Sequence, residues 1–393
     1  MPGELPFRSA AAGGFDAREV TDTIKRALAS AGLDARSGPM KGVTDTIDQA
    51  LAAAGLLQRT AEPGSRGATI DGVAHTIVDE PRTAEIVPFP RASVAGRARA
   101  GEFASRTFTN HAGTRTYKVY VPASHAADAR NPAPLVMMLH GCTQTPDDFA
   151  AGTRMNALAD AHGFLVAYPE QAPHANGTKC WNWFRPDDQS RDRGEPAILA
   201  GIAREIAANY DIDERRVFVA GLSAGASMAV ILGVTHPELF AAVGVHSGLP
   251  YGVANDVPSA FAAMKGGIGN GVDTSNSAGR CAPAIVFHGD RDTTVHARNG
   301  AAIVAQATNG RFGDRSPQVS TETGASSGGR AYSRTVYADG TGDGAVVEHW
   351  VLHGAGHAWS GGSASGTFTD PSGPDASAEM VRFFLTRPIT RSS

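Results

Sequence analysis

Residues 217–233, VFVAGLSAGASMAVILG, carry an apolar β-branched run straight into a helical one, with only Gly-Leu-Ser-Ala-Gly at the junction. A strand that becomes a helix within one tight turn belongs to a sheet whose connections run back over its faces. Small residues around Ser223 leave room for the neighbouring strand and helix, and the sharp turn forces the serine into a strained conformation. The N-terminus of the following helix adds positive potential where an oxyanion would form. Ser223 is therefore the candidate nucleophile; a glycine-rich packing turn is the bland alternative.

The rest of the C-terminal part agrees with such a sheet. YKVYV (117–121), LVMML (135–139), FLVAY (164–168), VFVAG (217–221), AVGVH (242–246), AIVFH (284–288) and EHWVL (348–352) read as short buried strands. Helical patterns fall at 154–162, 195–209, 224–235 and 375–386. The alternation predicts an α/β fold with a mainly parallel sheet covered by helices on both faces, and ligands at the carboxyl ends of its strands. The Gly/Ser-rich portion of 321–345 is expected to be an exposed excursion.

Upstream the pattern differs. VTDTIKRALASAGL (20–33) returns, nearly unchanged, as VTDTIDQALAAAGL (43–56). Ile24, Ala27, Leu28 and Ala31, and their counterparts Ile47, Ala50, Leu51 and Ala54, recur at helical spacing. Residues 1–57 are thus expected to form a two-copy amphipathic helical repeat, and 58–104, rich in Arg, Ala, Gly and Pro, a linker. Residues 105–393 form the expected catalytic domain. Helices this short are marginal alone, so their apolar stripes are expected to pack on each other, on the main domain, on another protomer or protein partner, or on an apolar surface such as a granule.

Composition narrows the function classes. A net charge of −4 over 393 residues gives no basic field, which argues against a nucleic-acid partner. No apolar run approaches the roughly 18 residues of a membrane span. MPGELPFRSAAAGGFDARE lacks the charged and apolar regions of an ordinary secretory signal, so a cytoplasmic location is expected, with an extracellular one as the alternative. The three cysteines match no zinc spacing, and no metal or other cofactor is expected. Cys142 and Cys180 can pair if the fold brings them together, leaving Cys281 as a buried thiol.

A serine nucleophile needs a histidine base, and the base needs a carboxylate to fix its tautomer. GDRDTTV, after AIVFH, offers Asp290 and Asp292; GAGHAWSGG, after EHWVL, offers His357. His353, His349 and His296 are competitors expected to be structural or exposed. For the oxyanion, the first donor is the Ala224 N–H, directly after the nucleophile. The second belongs to a loop after an earlier strand, where LVMML runs into His140-Gly141-Cys142-Thr143; Cys142 N–H is the choice and His140 a structural residue.

Between these loops lies KCWNWFRP (179–186). If extended, it turns Trp181 and Trp183 to opposite sides, so that Trp183 faces substrate and Trp181 anchors the loop. Trp359, two residues past His357, is a candidate second apolar wall. The alternative is that all three rings pack the core.

The region 105–387 resembles the poly(3-hydroxybutyrate) depolymerase family of esterases, relatives of feruloyl esterases in the α/β-hydrolase superfamily. The resemblance rests on LHGCTQTPDDFA, NGTKCWNWFRPDDQSRDRGEP, VFVAGLSAGASMA, VGVHSGLPYG, VFHGDRDTTV, EHWVLHGAGHAWSGG and TDPSGPDAS. It implies the α/β-hydrolase fold, a triad of Ser223, Asp292 and His357 with Asp292 preferred over Asp290, and Cys142 in the oxyanion loop. It implies a polyester, oligoester or small ester as substrate. Nothing after residue 387 matches the separate substrate-binding domain typical of secreted polymer-degrading members, so amorphous polymer, oligomers and short-chain esters are the expected substrates.

Overall fold

Along the strand Ala133–Leu139, Leu135, Met137 and Leu139 join one apolar cluster, Val136 and Met138 join another, and every residue is buried. A strand apolar on both faces is stable only in a sheet covered twice. The computed structural model, which describes residues 101–127, 131–266, 281–312, 315–340 and 345–389, has this arrangement.

In chain order the elements are β1 (Glu102–Asn110), β2 (Gly113–Val121), α1 (Ala123–Ala127), β3 (Ala133–Leu139), α2 (Pro146–Thr153), α3 (Met155–His162) and β4 (Leu165–Pro169). Next come α4 (Gly194–Asn209), β5 (Ile212–Leu222), α5 (Ala224–Thr235), β6 (Ala242–His246), α6 (Val257–Met264), β7 (Ala284–Gly289) and α7 (Arg298–Thr308). The last are β8 (Gln318–Ala325), β9 (Ala331–Ala338), β10 (Ala345–Leu352), β11 (Trp359–Ser360), β12 (Thr369–Asp370) and α8 (Ala376–Leu385). The main sheet has ten strands in the order β1-β2-β4-β3-β5-β6-β7-β10-β9-β8. Its centre, from β4 to β10, is parallel, and antiparallel pairs extend it at both ends.

The two apolar clusters are the two faces of this sheet. Ile198, Ile202 and Ile206 of α4 and Met228 and Leu232 of α5 bury the face of Leu135 and Met137. Met155 and Ala159 of α3, with Met380, Phe383 and Phe384 of α8, bury the opposite one. There Phe384 stacks on Phe218 of β5 at 4.9 Å. With the sheet clamped from both sides, the parallel strands β3, β5, β6, β7 and β10 end in a row. The loops leaving those ends carry the candidate chemistry.

The apolar runs all fall on strands, and the four helical patterns on α3, α4, α5 and α8. One segment differs from expectation: much of 321–345 forms β8 and β9, an antiparallel hairpin that pairs Gln318 with Ala338 and Ala325 with Ala331. Its polar composition suits an edge, where backbone pairing and cross-strand contacts such as that of Thr321 with Thr335 at 3.0 Å do the work that burial does elsewhere. β1 starts at Glu102, inside the segment expected to be linker. Helices α2, α6 and α7 fall outside the helical patterns read from the sequence. Local capping marks two of them: Thr145 accepts from the Asp148 N–H, and Asp256 and Ser259 form a capping box. The helical repeat and residues 58–100 of the linker lie outside the described residues.

Candidate active site

β5 ends at Leu222 and α5 begins at Ala224, which leaves Ser223 alone at the turn with φ 57° and ψ −119°. A residue with a Cβ pays about 1–3 kcal/mol for such a conformation, so the surroundings must over-determine it. They do so through backbone contacts. The Ser223 N–H donates to the His246 carbonyl at 2.9 Å. A Cβ on Gly221 would run into the backbone of Gly225, and one on Gly225 into the carbonyls of Leu139 and His140. Both glycines of the Gly-x-Ser-x-Gly turn are therefore required because α5 rests directly on β5 and on the end of β3.

The candidate acid and base come from the loops after β7 and β10. His357 Nδ1 lies 2.7 Å from Asp292 Oδ2, and Asp292 Oδ1 accepts the N–H groups of Thr294 at 2.9 Å and Val295 at 2.8 Å. Burial raises the Asp292 carboxyl, but the hydrogen bonds and charge of His357 and the Val295 N–H outweigh it and hold its pKa below the ordinary carboxylate value. An ionised carboxylate only accepts, so Nδ1 of His357 carries the proton and Nε2 is left as the basic nitrogen. Asp290, the rival acid, faces elsewhere: it accepts from His353 Nδ1 at 3.0 Å and from the Gly354 N–H at 2.7 Å. His349 is enclosed in the sheet, and its imidazole is driven down to about 4 by burial and by the charge of His288.

His140 shapes the loop expected to hold the oxyanion. Its Nε2 accepts the Gln171 N–H at 3.1 Å, so Nδ1 bears the proton and donates to the Gly141 carbonyl at 2.7 Å. Burial keeps this imidazole neutral, with a lowered pKa. The Gly141 N–H is taken by Gln144 Oε1 and the Thr143 N–H by the Thr178 carbonyl. Between them, the Cys142 N–H has no acceptor among the described residues. The Ala224 N–H, at the first position of α5, has no intrahelical acceptor either. Cys142 and Cys180 are joined as a disulfide, which ties this loop to KCWNWFRP, and Cys281 is a partly buried free thiol.

The tryptophan segment is not extended. Residues 179–186 run as coil and turns, so the alternation rule does not apply, and Trp181 and Trp183 enter the same apolar cluster. Trp181 is fully buried and donates to the His140 carbonyl at 3.1 Å. Trp183 keeps 7% exposure and meets Phe184 edge to face. Trp359 is buried, donates to Ser377 Oγ at 3.0 Å and stacks on His246 at 5.3 Å; it is placed in the core beneath the base loop rather than on a wall.

Three supporting residues have no signature of their own in the sequence. His246 holds both ends of the array: its carbonyl fixes Ser223, and its Nε2 accepts the Ser360 N–H, three residues past His357, at 3.0 Å. Burial, reinforced by the charges of His288 and His357, drops its pKa to about 3, so it stays neutral. Glu195 and Gln171 form a buried polar centre under the tryptophan segment. Glu195 accepts from the Asn182 N–H at 2.8 Å, from Asn182 Nδ2 at 2.8 Å, from Arg115 and from Gln171 Nε2, which also donates to the Cys180 carbonyl at 2.8 Å. Glu195 lies near the end of the quoted stretch NGTKCWNWFRPDDQSRDRGEP and Gln171 lies in PEQ just before it, but neither setting discloses the contact between them. Among the described residues no cluster of His, Cys, Asp and Glu could hold a metal ion, and no helix is long and apolar enough to cross a membrane.

A parallel sheet with antiparallel edges, a serine on a strained strand-to-helix turn, and loops from later strands carrying an acid and a histidine define an α/β-hydrolase. The chain belongs to the family described as esterase PHB depolymerase, whose model matches residues 115–314. Poly(3-hydroxyalkanoate) depolymerase C of Paucimonas lemoignei is 35% identical over 258 residues, covering 63% of this chain and 59% of the relative. Poly(3-hydroxybutyrate) depolymerase of Ralstonia pickettii is 30% identical over 269 residues, covering 64% and 53%. The chain thus spans only about half to three-fifths of the length of these two relatives. Feruloyl esterase B of Neurospora crassa is 30% identical over 264 residues, covering 63% of this chain and 85% of the relative. Among solved structures, the acetyl xylan esterase of Aspergillus awamori superposes with a TM-score of 0.56 at 21% identity, over 72% of this chain and 99% of that one, a likeness of fold.

Proposed function

We propose that the protein is a serine esterase that hydrolyses poly(3-hydroxybutyrate), its oligomers or related short-chain esters through an acyl-enzyme. The observation that carries this reading is the contact of 2.7 Å between His357 and Asp292, on loops that leave the same side of the parallel sheet as the strained turn of Ser223. His357 Nε2 takes the Ser223 proton as Oγ attacks the ester carbonyl, and the same nitrogen returns it to the departing alkoxide. Water then repeats the sequence and releases the acid. Asp292 orients the imidazole and stabilises its charged form, while the Cys142 and Ala224 N–H groups receive the oxyanion in both halves. Family membership and the relatives at 30–35% identity support an ester substrate.

Replacing Ser223 by Ala is expected to abolish hydrolysis of p-nitrophenyl butyrate with an unchanged circular dichroism spectrum; turnover in that variant would overturn the assignment. A second reading, a feruloyl-type carboxylesterase, draws support from the 85% coverage of feruloyl esterase B. Hydroxybutyrate oligomers and methyl ferulate, compared by kcat/KM, separate the two. The disulfide between Cys142 and Cys180 favours an oxidising compartment and with it the extracellular location.

A further inference from the structure

Phe368 combines two costs that folding alone does not repay. Its φ is 52°, a left-handed conformation that a bulky residue with a Cβ rarely adopts, and its side chain is nevertheless 47% exposed. Its neighbours force the position from both sides. The Thr367 N–H donates to Asp148 Oδ1 at 2.8 Å, Thr367 Oγ1 donates to Asp148 Oδ2 at 2.6 Å, and the Thr367 carbonyl accepts from Gln144 Nε2 at 3.1 Å. On the other side the Phe368 carbonyl accepts the Trp359 N–H at 2.7 Å, and Thr369 pairs with Trp359 across β11 and β12.

These anchors belong to the two halves of the candidate site. Gln144 is the residue whose Oε1 holds the Gly141 N–H in the loop of Cys142, and Trp359 lies two residues past His357. The backbone of Phe368 is therefore tied to the oxyanion loop through Thr367 and to the base loop through its own carbonyl. A ring pinned at that junction, strained and open to solvent, is one that a bound molecule would cover.

We infer that Phe368 is a substrate-binding residue, an aromatic platform at the margin of the active site for the aliphatic part of an oligoester chain extending beyond the scissile bond. The inference rests on the esterase reading above. A 3-hydroxyalkanoate chain alternates polar ester groups with alkyl-bearing carbons; a phenyl face removes the alkyl carbons from water and leaves the esters free. A short activated ester ends at the catalytic residues and gains nothing from the platform.

The test compares Phe368→Gly and Phe368→Leu with the wild type on a 3-hydroxybutyrate tetramer and on p-nitrophenyl acetate, with Tm measured for each. Glycine relieves the left-handed backbone, so the Phe368→Gly variant is expected to melt at or above the wild-type temperature. Its kcat/KM on the tetramer should fall about five- to tenfold, chiefly through KM, against a loss of no more than about twofold on p-nitrophenyl acetate. The Phe368→Leu variant keeps apolar bulk and should recover part of the loss. A lowered Tm with equal losses on both substrates, or undiminished tetramer hydrolysis in the Phe368→Gly variant, overturns the inference while leaving the esterase reading intact. A wild-type enzyme that cleaves p-nitrophenyl acetate but not the tetramer overturns the oligoester reading and this assignment with it.

Discussion

His357 Nδ1 sits 2.7 Å from Asp292 Oδ2 while His353 Nδ1 sits 3.0 Å from Asp290 Oδ2, so two acids only two residues apart each engage a different histidine. The side chain of Asp292 is fully buried, whereas Asp290 and His353 lie at the surface, at 38% and 42% exposure. Asp292→Asn is expected to lower kcat on p-nitrophenyl butyrate by about 10³–10⁴, because an amide no longer selects the Nδ1-protonated tautomer. Asp290→Asn weakens a tether to Gly354 and should cost less than about tenfold. Steady-state kinetics of the two variants decide between the acids, and a larger loss at Asp290 would reverse the assignment.

Gly225 provides a test of the turn that does not depend on catalysis. A methyl group there meets the carbonyls of Leu139 and His140, backbone atoms at the end of β3 that cannot swing aside as a flexible side chain would. Gly225→Ala is therefore expected to cost about 1–3 kcal/mol or more, seen as a lower Tm or as insoluble protein. Gly163→Ala is a control: its added Cβ meets nothing, and only the left-handed φ of 70° opposes it. A smaller Tm loss at Gly225 than at Gly163 would show that the turn is not clamped as described.

What the sequence discloses follows from the range of the interactions involved. Strands such as the one containing 135–139 and the turn around Ser223 are written locally, in runs of apolar residues and in glycines at fixed spacing. The role of His246 is not: it depends on β6 lying beside β5 and on Ser360 returning from the far end of the chain to meet its Nε2. The choice between Asp290 and Asp292 is likewise a matter of which carboxylate the loop after β7 presents to His357, a contact between two distant loops. The tryptophans went astray for a related reason. Alternation assigns sides only to extended backbone, and the disulfide at Cys180 and the donors around Glu195 fold that segment into turns.

The bridge between Cys142 and Cys180 closes a loop with a sequence separation of 38 residues and fixes the strand-end loop carrying the proposed oxyanion donor. Serine at both positions is expected to reduce stability by about 2–4 kcal/mol, chiefly by freeing the unfolded chain. Below the new melting temperature, kcat should still fall, by about tenfold, since one oxyanion donor is less well placed, with KM changed less. Kinetics and urea denaturation of the double variant, beside the wild type, check both parts. Full activity in the double variant would mean that Cys142 is positioned without the bridge.

Glu195 gives the molecule a stability dependence of defined sign. Burial and the charge of Asp188 push its carboxyl up to about 7, against the opposing pull of Gln171, Asn182 and Arg115, all of which offer donors to the ionised form. Between about pH 4.5 and 7 the folded protein thus holds a proton that the unfolded chain has released, and stability falls as pH rises through this window. Glu195→Gln removes the titrating group. The stability of the wild type minus that of the variant should therefore decline by up to about 3 kcal/mol from pH 4.5 to 7 and level off above it. Denaturant titrations at several pH values measure the difference directly, whatever the variant loses in hydrogen bonding at any single pH. A difference that is flat across the window, or that grows with pH, would show that the donors around it prevail over burial and that Glu195 is ionised throughout.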